Sequence, residues 1–361
     1  MNAAARLHQL GQSLWLDNIT REILDKGTLA DYIANASVTG LTSNPTIFDE
    51  AIGGTADYDA DIRRLASAGL DPEAIFAELA LADLRRAADL FRPVFDATQG
   101  LDGWVSMEVS PLLAANTVGS VQAAEKIHAA ADRPNLFVKI PGTTQGLQAI
   151  EESIFAGIPV NVTLLFSRDQ YVAAAEAYLR GIERRIAAGL PARVASVASV
   201  FISRWDKAVA DKAPAELRNR LGIAVAQQAY RAYLELFDSP RWRPLADAGA
   251  QRQRLLWAST GSKDPNAPDT LYVEALAAPD TINTIPEKTL KAWLDHGKVG
   301  AAMAIDGDAG AATLRRFSEA GIDVDALAAQ LQDEGAKSFV KSWTALLARI
   351  ASKGQSLAGA A

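Results

Sequence analysis

The chain contains no cysteine and only three histidines, His8, His128 and His296, which lie far apart in its 361 residues. Disulfides and thiolate metal centres are thereby excluded, and a metal site built on histidine is not expected. Long hydrophobic runs are missing too. No stretch approaches the roughly 20 apolar residues that span a bilayer, and residues 1–8 have no basic segment leading into an apolar one. A cytoplasmic protein with no membrane partner is the expectation. Nor is positive charge in excess: 36 Lys and Arg stand against 43 Asp and Glu, a net charge of −7. The protein as a whole should not attract nucleic acid, and any phosphate it binds must be held by a local cluster of cations. Nucleotide and calcium loops are lacking as well. Gly261-Ser262-Lys263-Asp264 has neither the ending nor the upstream glycine of a P-loop. The stretch opened by Asp306 and Asp308 has Phe317 where a calcium loop needs its bidentate glutamate.

What the chain does have is apolar residues, 49% of the total at a mean hydropathy of +0.02, enough for a large core in a globular protein. Eight short β-like runs, at 13–19, 38–44, 104–110, 135–141, 159–166, 194–202, 254–259 and 281–285, alternate with helical patterns. Several are nearly continuous in apolar residues, as strands covered on both faces should be. This alternation predicts an α/β fold, a single (β/α)8 TIM barrel over residues 1–351 with a flexible tail at 352–361. Long gaps after the second and sixth runs predict extra helices there. Asp71-Pro72 reads as the start of a helix that Pro93 should stop, and Ser167 to Gln170 as a capping box opening another. Leu327, Leu331, Phe339, Trp343 and Leu347 predict a C-terminal helix or helix pair packing across the barrel. The seven tryptophans show no alternation with basic residues and are read as packing.

In such a barrel the chemistry sits at the C-terminal ends of the strands. The last polar residues able to face inward are Asp17, Asn44, Glu108, Lys139, Asn161 with Thr163, Ser199 and Ser259. Taken alone, Val138-Lys139-Ile140-Pro141 reads as an edge strand that keeps its ammonium in water. Set among strands that each end in a polar group, it reads as a lysine at the mouth of a barrel. Desolvation lowers a lysine's pKa, and an amine that sheds its proton can form a Schiff base with a carbonyl substrate. The resulting carbinolamine must lose water, and Glu108, acting through a water held by Thr163, could move those protons. The iminium then acts as an electron sink for breaking the bond beyond the α-carbon. Asp17 is the other acid at the strand ends and could take up the departing hydroxyl proton.

The runs carrying these residues resemble, in chain order, the motifs of the transaldolase family. They are Leu14-Trp15-Leu16-Asp17, Thr39-Gly40-Leu41-Thr42-Ser43-Asn44-Pro45-Thr46, Val105-Ser106-Met107-Glu108-Val109-Ser110-Pro111, Val138-Lys139-Ile140-Pro141, Asn161-Val162-Thr163-Leu164-Leu165-Phe166 and Ser199-Val200-Phe201-Ile202-Ser203-Arg204. A weaker likeness continues through Trp257-Ala258-Ser259-Thr260-Gly261-Ser262-Lys263 and the C-terminal helices. The resemblance implies a cofactor-free, metal-free transfer of a dihydroxyacetone unit between sugar phosphates. Sedoheptulose 7-phosphate and glyceraldehyde 3-phosphate would give erythrose 4-phosphate and fructose 6-phosphate, in the pentose phosphate pathway. It implies Lys139 as the Schiff-base lysine, Asp17 as the base for carbon–carbon cleavage, and Glu108 and Thr163 as holders of the catalytic water. Asn44, Asn161 and Ser199 would bind the hydroxyls of the three-carbon unit, with Phe201 and Ser259 also lining the substrate. Arg204 would take the phosphate. Many family members carry a short Ser-x-Arg after the seventh strand; here Ser259 is followed by Lys263 at a different spacing, and Lys263 is expected to replace that arginine.

Related fructose 6-phosphate aldolases release free dihydroxyacetone, are shorter, and typically have glutamine and tyrosine in the acid–base shell. Glu108 and Phe201 are the transaldolase-like choices. A barrel that only bound sugar phosphates could have drifted at Lys139, Glu108 or Asp17, yet all three are present. A monomer or homodimer is expected.

Overall fold

The computed structural model describes residues 2–358. Eight strands, β1 Ser13–Asp17, β2 Val38–Thr42, β3 Val105–Glu108, β4 Leu136–Pro141, β5 Val160–Leu165, β6 Ser196–Phe201, β7 Arg254–Ala258 and β8 Ile282–Ile285, form one sheet in the order β2-β1-β8-β7-β6-β5-β4-β3. All the pairings are parallel. Each strand falls inside the run expected for it. The trimmed residues belong to the loops, as at Asn44, which caps the next helix. The ring closes between β2 and β3 at a single bridge, Gly40 to Trp104, supported by the Leu41 N–H donating to the Trp104 carbonyl at 2.9 Å. Gly40 is required there: a Cβ on it would sit 2.5 Å from the Trp15 indole, which fills the barrel centre.

The period-2 alternation of the strands sorts their side chains into two cores. Inside the ring, Trp15, Phe137, Val197, Leu256 and Ile282 pack together, and Phe137 stacks on Trp104 with ring centroids 4.0 Å apart. Residues of the other parity, among them Leu14, Leu16, Val138, Val160 and Trp257, pack outward against the helices. At the N-terminal end of the barrel Arg254 donates to the Ser13 hydroxyl at 2.7 Å and lies 3.8 Å from the Asp102 carboxylate, which also accepts from the Trp15 indole at 2.7 Å. This buried polar cluster plugs the end remote from the strand tips discussed above.

The long gaps carry the added helices Pro45–Gly54, Asp59–Ser67 and Pro72–Ala97 before β3, and Ser203–Ala208, Leu221–Phe237 and Trp242–Asp247 before β7. Asp71 caps the third of these, accepting from the Ala74 N–H, and the Ser167/Gln170 capping box is formed. Pro93 does not stop its helix, which runs on to Ala97. One missing N–H is outweighed because the last turn is anchored: Phe95 packs edge-on against Trp104 at 5.1 Å. All seven tryptophans are buried.

The C-terminal helix is one element, Val324–Ala358. Gln332 donates from it to the Gly142 and Leu164 carbonyls above β4 and β5, and Ser342 and Thr46 share a hydrogen bond of 2.8 Å. It therefore crosses the C-terminal mouth of the barrel. The tail expected from residue 352 is helical as far as 358, because Lys353 is held by Asp59 and the Thr55 carbonyl; residues 359–361 lie outside the described residues.

Removing the carboxylate from the polar plug leaves the buried Arg254 charge without its counter-charge, although its N–H groups keep the Ser13 hydroxyl and the Leu101 and Thr281 carbonyls. Asp102→Ala should lower the unfolding free energy by about 3–5 kcal/mol, as for other broken buried ion pairs. Urea denaturation of the variant measures this, and a loss below about 1 kcal/mol would show that the hydrogen bonds Arg254 already makes to Ser13, Leu101 and Thr281 suffice for its charge.

Candidate active site

Lys139 is not on an edge. It lies in the middle of the ring on β4, between Glu108 on β3 and Asn161 on β5, each its direct neighbour in register. Its side chain is only 7% exposed, which rules out an ammonium standing in bulk water. Nζ donates to the Ser43 carbonyl at 2.9 Å and lies 3.2 Å from Glu108 Oε2. The Glu108 contact is an ion pair without hydrogen-bond alignment, so both carboxylate oxygens, like the buried Thr163 hydroxyl, lack a hydrogen-bond partner among the described residues. Burial raises the Glu108 pKa; the Lys139 charge opposes this and the Asp17 charge adds to it.

A cavity of ≈ 500 Å³ opens at this mouth. It is lined by Asp17, Asn44, Lys139, Thr163, Ser199, Phe201, Arg204, Ser259 and Lys263, all but two of the expected residues. Glu108 and Asn161 are not on its wall. Glu108 reaches it through Lys139. Asn161 is fully buried and its amide is spent inside the barrel, donating to Ser106 at 3.2 Å and accepting from Ser199 at 2.7 Å. Asn44 uses its side-chain oxygen to cap a helix, accepting from the Thr46 and Ile47 N–H groups, so only its NH2 is left for a ligand.

Asp17 sits at the tip of β1 and accepts from Thr42 at 2.7 Å. Burial raises its pKa, opposed by the Thr42 hydrogen bond and by the charges of Lys139 and Lys263. The same cavity is lined by two cations, Arg204 and Lys263, with no hydrogen-bonding or ion-pair partner among the described residues. Burial lowers the pKa of Arg204, and burial plus the charges of Arg204 and Lys207 lower that of Lys263. Two backbone outliers lie close by. Leu164 at φ +60° marks the register shift on β5 beside Thr163, and Ser259 at φ +54° turns the chain out of β7 toward Lys263.

Several cavity residues escaped the sequence reading. Thr42 donates to the Asp17 carboxylate, and its hydroxyl lies 2.7 Å from that of Thr284. It lies two residues before Asn44, on the same inward parity, and that parity was the signal available. Glu287 holds Asn18 at 3.1 Å on the cavity rim. Phe339 reaches the wall from the C-terminal helix, where sequence spacing shows only an apolar face.

The family described as Transaldolase/Fructose-6-phosphate aldolase matches residues 14–350. A protein named transaldolase from Thiobacillus denitrificans is 46% identical over 358 residues, 97% of this chain and 100% of the relative. Another transaldolase, from Thermobifida fusca, is 45% identical over 96% of each chain. A transaldolase from Neisseria gonorrhoeae is 42% identical over 97% of this chain and its own full length.

The Thr42 hydroxyl favours the ionised form of Asp17, so its loss should raise the Asp17 pKa further. In Thr42→Val the limb of the pH–rate profile that belongs to Asp17 should therefore move to higher pH. An unmoved or downward-shifted acid limb would mean that the hydrogen bond does not control this carboxylate.

Proposed function

We propose a lysine Schiff-base mechanism for this chain, which belongs to the transaldolase/fructose-6-phosphate aldolase family. It is an enzyme, and its activity is that of a transaldolase. The observation that carries the mechanism is Lys139 itself: a buried amine at the floor of the mouth cavity with a carboxylate 3.2 Å away. Glu108, whose affinity for a proton is raised by burial, is the nearest group able to accept one from Nζ. The free amine adds to the ketone carbon of a ketose phosphate, and the carbonyl oxygen leaves as water once protonated. A water held between Glu108 and Thr163 would pair three otherwise unsatisfied polar atoms and carry those protons.

The electron pair of the bond between the α- and β-carbons then flows into the iminium as Asp17 takes the proton of the β-hydroxyl, which becomes the aldehyde of the departing fragment. An aldose phosphate leaves, and the three-carbon unit stays on Lys139 as an enamine. Addition to the acceptor aldehyde runs the same steps backward, with Asp17 returning its proton, and hydrolysis of the imine frees the new ketose. Ser199 and the Asn44 amide face the cavity where the hydroxyls of the three-carbon unit would lie; Asn161 supports Ser199 from below. Arg204 and Lys263 bind the phosphate. On this reading the enzyme acts in the cytoplasm on sugar phosphates, as a monomer or homodimer, with neither metal nor cofactor.

Borohydride with fructose 6-phosphate should add one reduced dihydroxyacetone unit to the peptide holding Lys139. Asp17→Ala should still accumulate a trapped imine, with the donor intact, whereas Glu108→Ala should slow imine formation. Label on a different lysine would sink the mechanism, and steady release of free dihydroxyacetone without an acceptor would place the chain with the aldolases.

A charge-assisted phosphate contact is worth about 1.5–3 kcal/mol, roughly ten- to a hundredfold in affinity. Arg204→Ala and Lys263→Ala should each lower the preference for glyceraldehyde 3-phosphate over free glyceraldehyde as acceptor by about that factor. Equal losses with both acceptors would move the phosphate site elsewhere.

A further inference from the structure

Arg204 is held in an unusual way. Neither a carboxylate nor a carbonyl among the described residues hydrogen-bonds its guanidinium, and Glu334 acts on it only through space. Instead Cζ lies 5.4 Å from the centre of the Phe201 ring and 5.9 Å from that of Phe339, and the two rings are inclined at 61°. Phe201 ends β6, whereas Phe339 comes from the C-terminal helix. One turn before it, on the same helix face, is Gly335, buried in the interior of a 35-residue helix. Alanine would serve that helix better by propensity. A Cβ at Gly335, however, would lie 3.3 Å from Arg204 Nη1 and 3.1 Å from Leu164 Cδ2, closer than side chains ordinarily pack.

A carboxylate partner would fix an arginine but would also compete with an incoming phosphate for its N–H groups. Aromatic faces fix the planar guanidinium and leave its edge donors free. We infer that Gly335 and Phe339 are positioning residues for the phosphate anchor. Phe339 supplies one face of the seat and Gly335 the clearance for Nη1, so the C-terminal helix aims the Arg204 donors into the cavity and sets the preference for phosphorylated acceptors. This rests on Arg204 being the phosphate anchor, as proposed above.

The test compares kcat/KM for glyceraldehyde 3-phosphate and for free glyceraldehyde as acceptors, which reports the acceptor half-reaction alone, together with competitive inhibition by inorganic phosphate. Gly335→Ala and Phe339→Leu should each lower the acceptor ratio roughly three- to tenfold and weaken phosphate inhibition in parallel, while Phe339→Tyr stays within about twofold of the parent. Melting temperatures separate this from a loss of fold: Gly335→Ala should keep the parent's melting point and still lose the ratio. If Phe339→Leu does not fold, Gly335→Ala against Phe339→Tyr decides. Arg204→Ala is the reference. A ratio unchanged in Arg204→Ala removes the anchor and the inference with it. A ratio lowered in Arg204→Ala but unchanged in Gly335→Ala and Phe339→Leu, or lowered as much in Phe339→Tyr as in Phe339→Leu, overturns the seat alone.

Discussion

A lysine ammonium enclosed by a parallel barrel must find its partners among groups that the barrel itself brings together, since taking it out of water costs several kcal/mol. Lys139 finds two, the Glu108 carboxylate on the neighbouring strand and the Ser43 carbonyl just beyond β2. Neither is close by accident. The Ser43 hydroxyl donates to the Ser106 carbonyl on β3 at 2.8 Å, and β2 meets the segment leading into β3 at the bridge between Gly40 and Trp104. That bridge in turn depends on Gly40 leaving room for the Trp15 indole. The placement of the amine is thus tied to how the barrel closes around its largest interior side chain.

The interior is divided by chemistry along its axis. A polar plug around Arg254 and Asp102 seals one end, aromatic and aliphatic side chains fill the middle, and ionisable groups gather at the other end. Enclosed between this interior and the C-terminal helix, the ionisable groups of the mouth have little access to water, which is why burial dominates the pKa shifts of Asp17, Glu108, Arg204 and Lys263 alike. An acidic protein of net charge −7 brings two cations, neither hydrogen-bonded to a carboxylate among the described residues, to the lining of this cavity. The long C-terminal helix completes the enclosure, bringing Phe339 to a site otherwise built from strand ends and the loops and helix starts that follow them.

Much of this was legible in the residues. The runs around Lys139, Asn161 and Ser199 are short, apolar and bounded, so their strand character and inward parity follow from composition and period. The Ser167 to Gln170 cap is a local hydrogen-bond pattern and formed as read. Pro93 was misleading because the helix beyond it is held by the packing of Phe95 on Trp104, a contact between a helix end and a strand start that local sequence does not show. The helix beyond residue 351 was hidden for a similar reason: Lys353 is ordered by Asp59, nearly three hundred residues away. Asn161 was expected to face the substrate, and its inward parity was right. Its depth was not readable, because depth depends on strand stagger.

By itself, then, the sequence determined the α/β alternation, the eight strands, the inward parity of their polar ends and the chemical type of each group, because these depend on near neighbours in the chain. The tertiary structure decided the rest. It set the 3.2 Å pairing of Lys139 with Glu108, the partnership of Thr42 with Asp17, the withdrawal of Asn161 from the cavity wall, and the aromatic seat of Arg204. Each of these needs at least one residue distant in the chain, as Phe339 is from Arg204. Their distances follow from strand stagger, from barrel closure and from where one long helix comes to rest, and no local pattern of residues encodes those quantities.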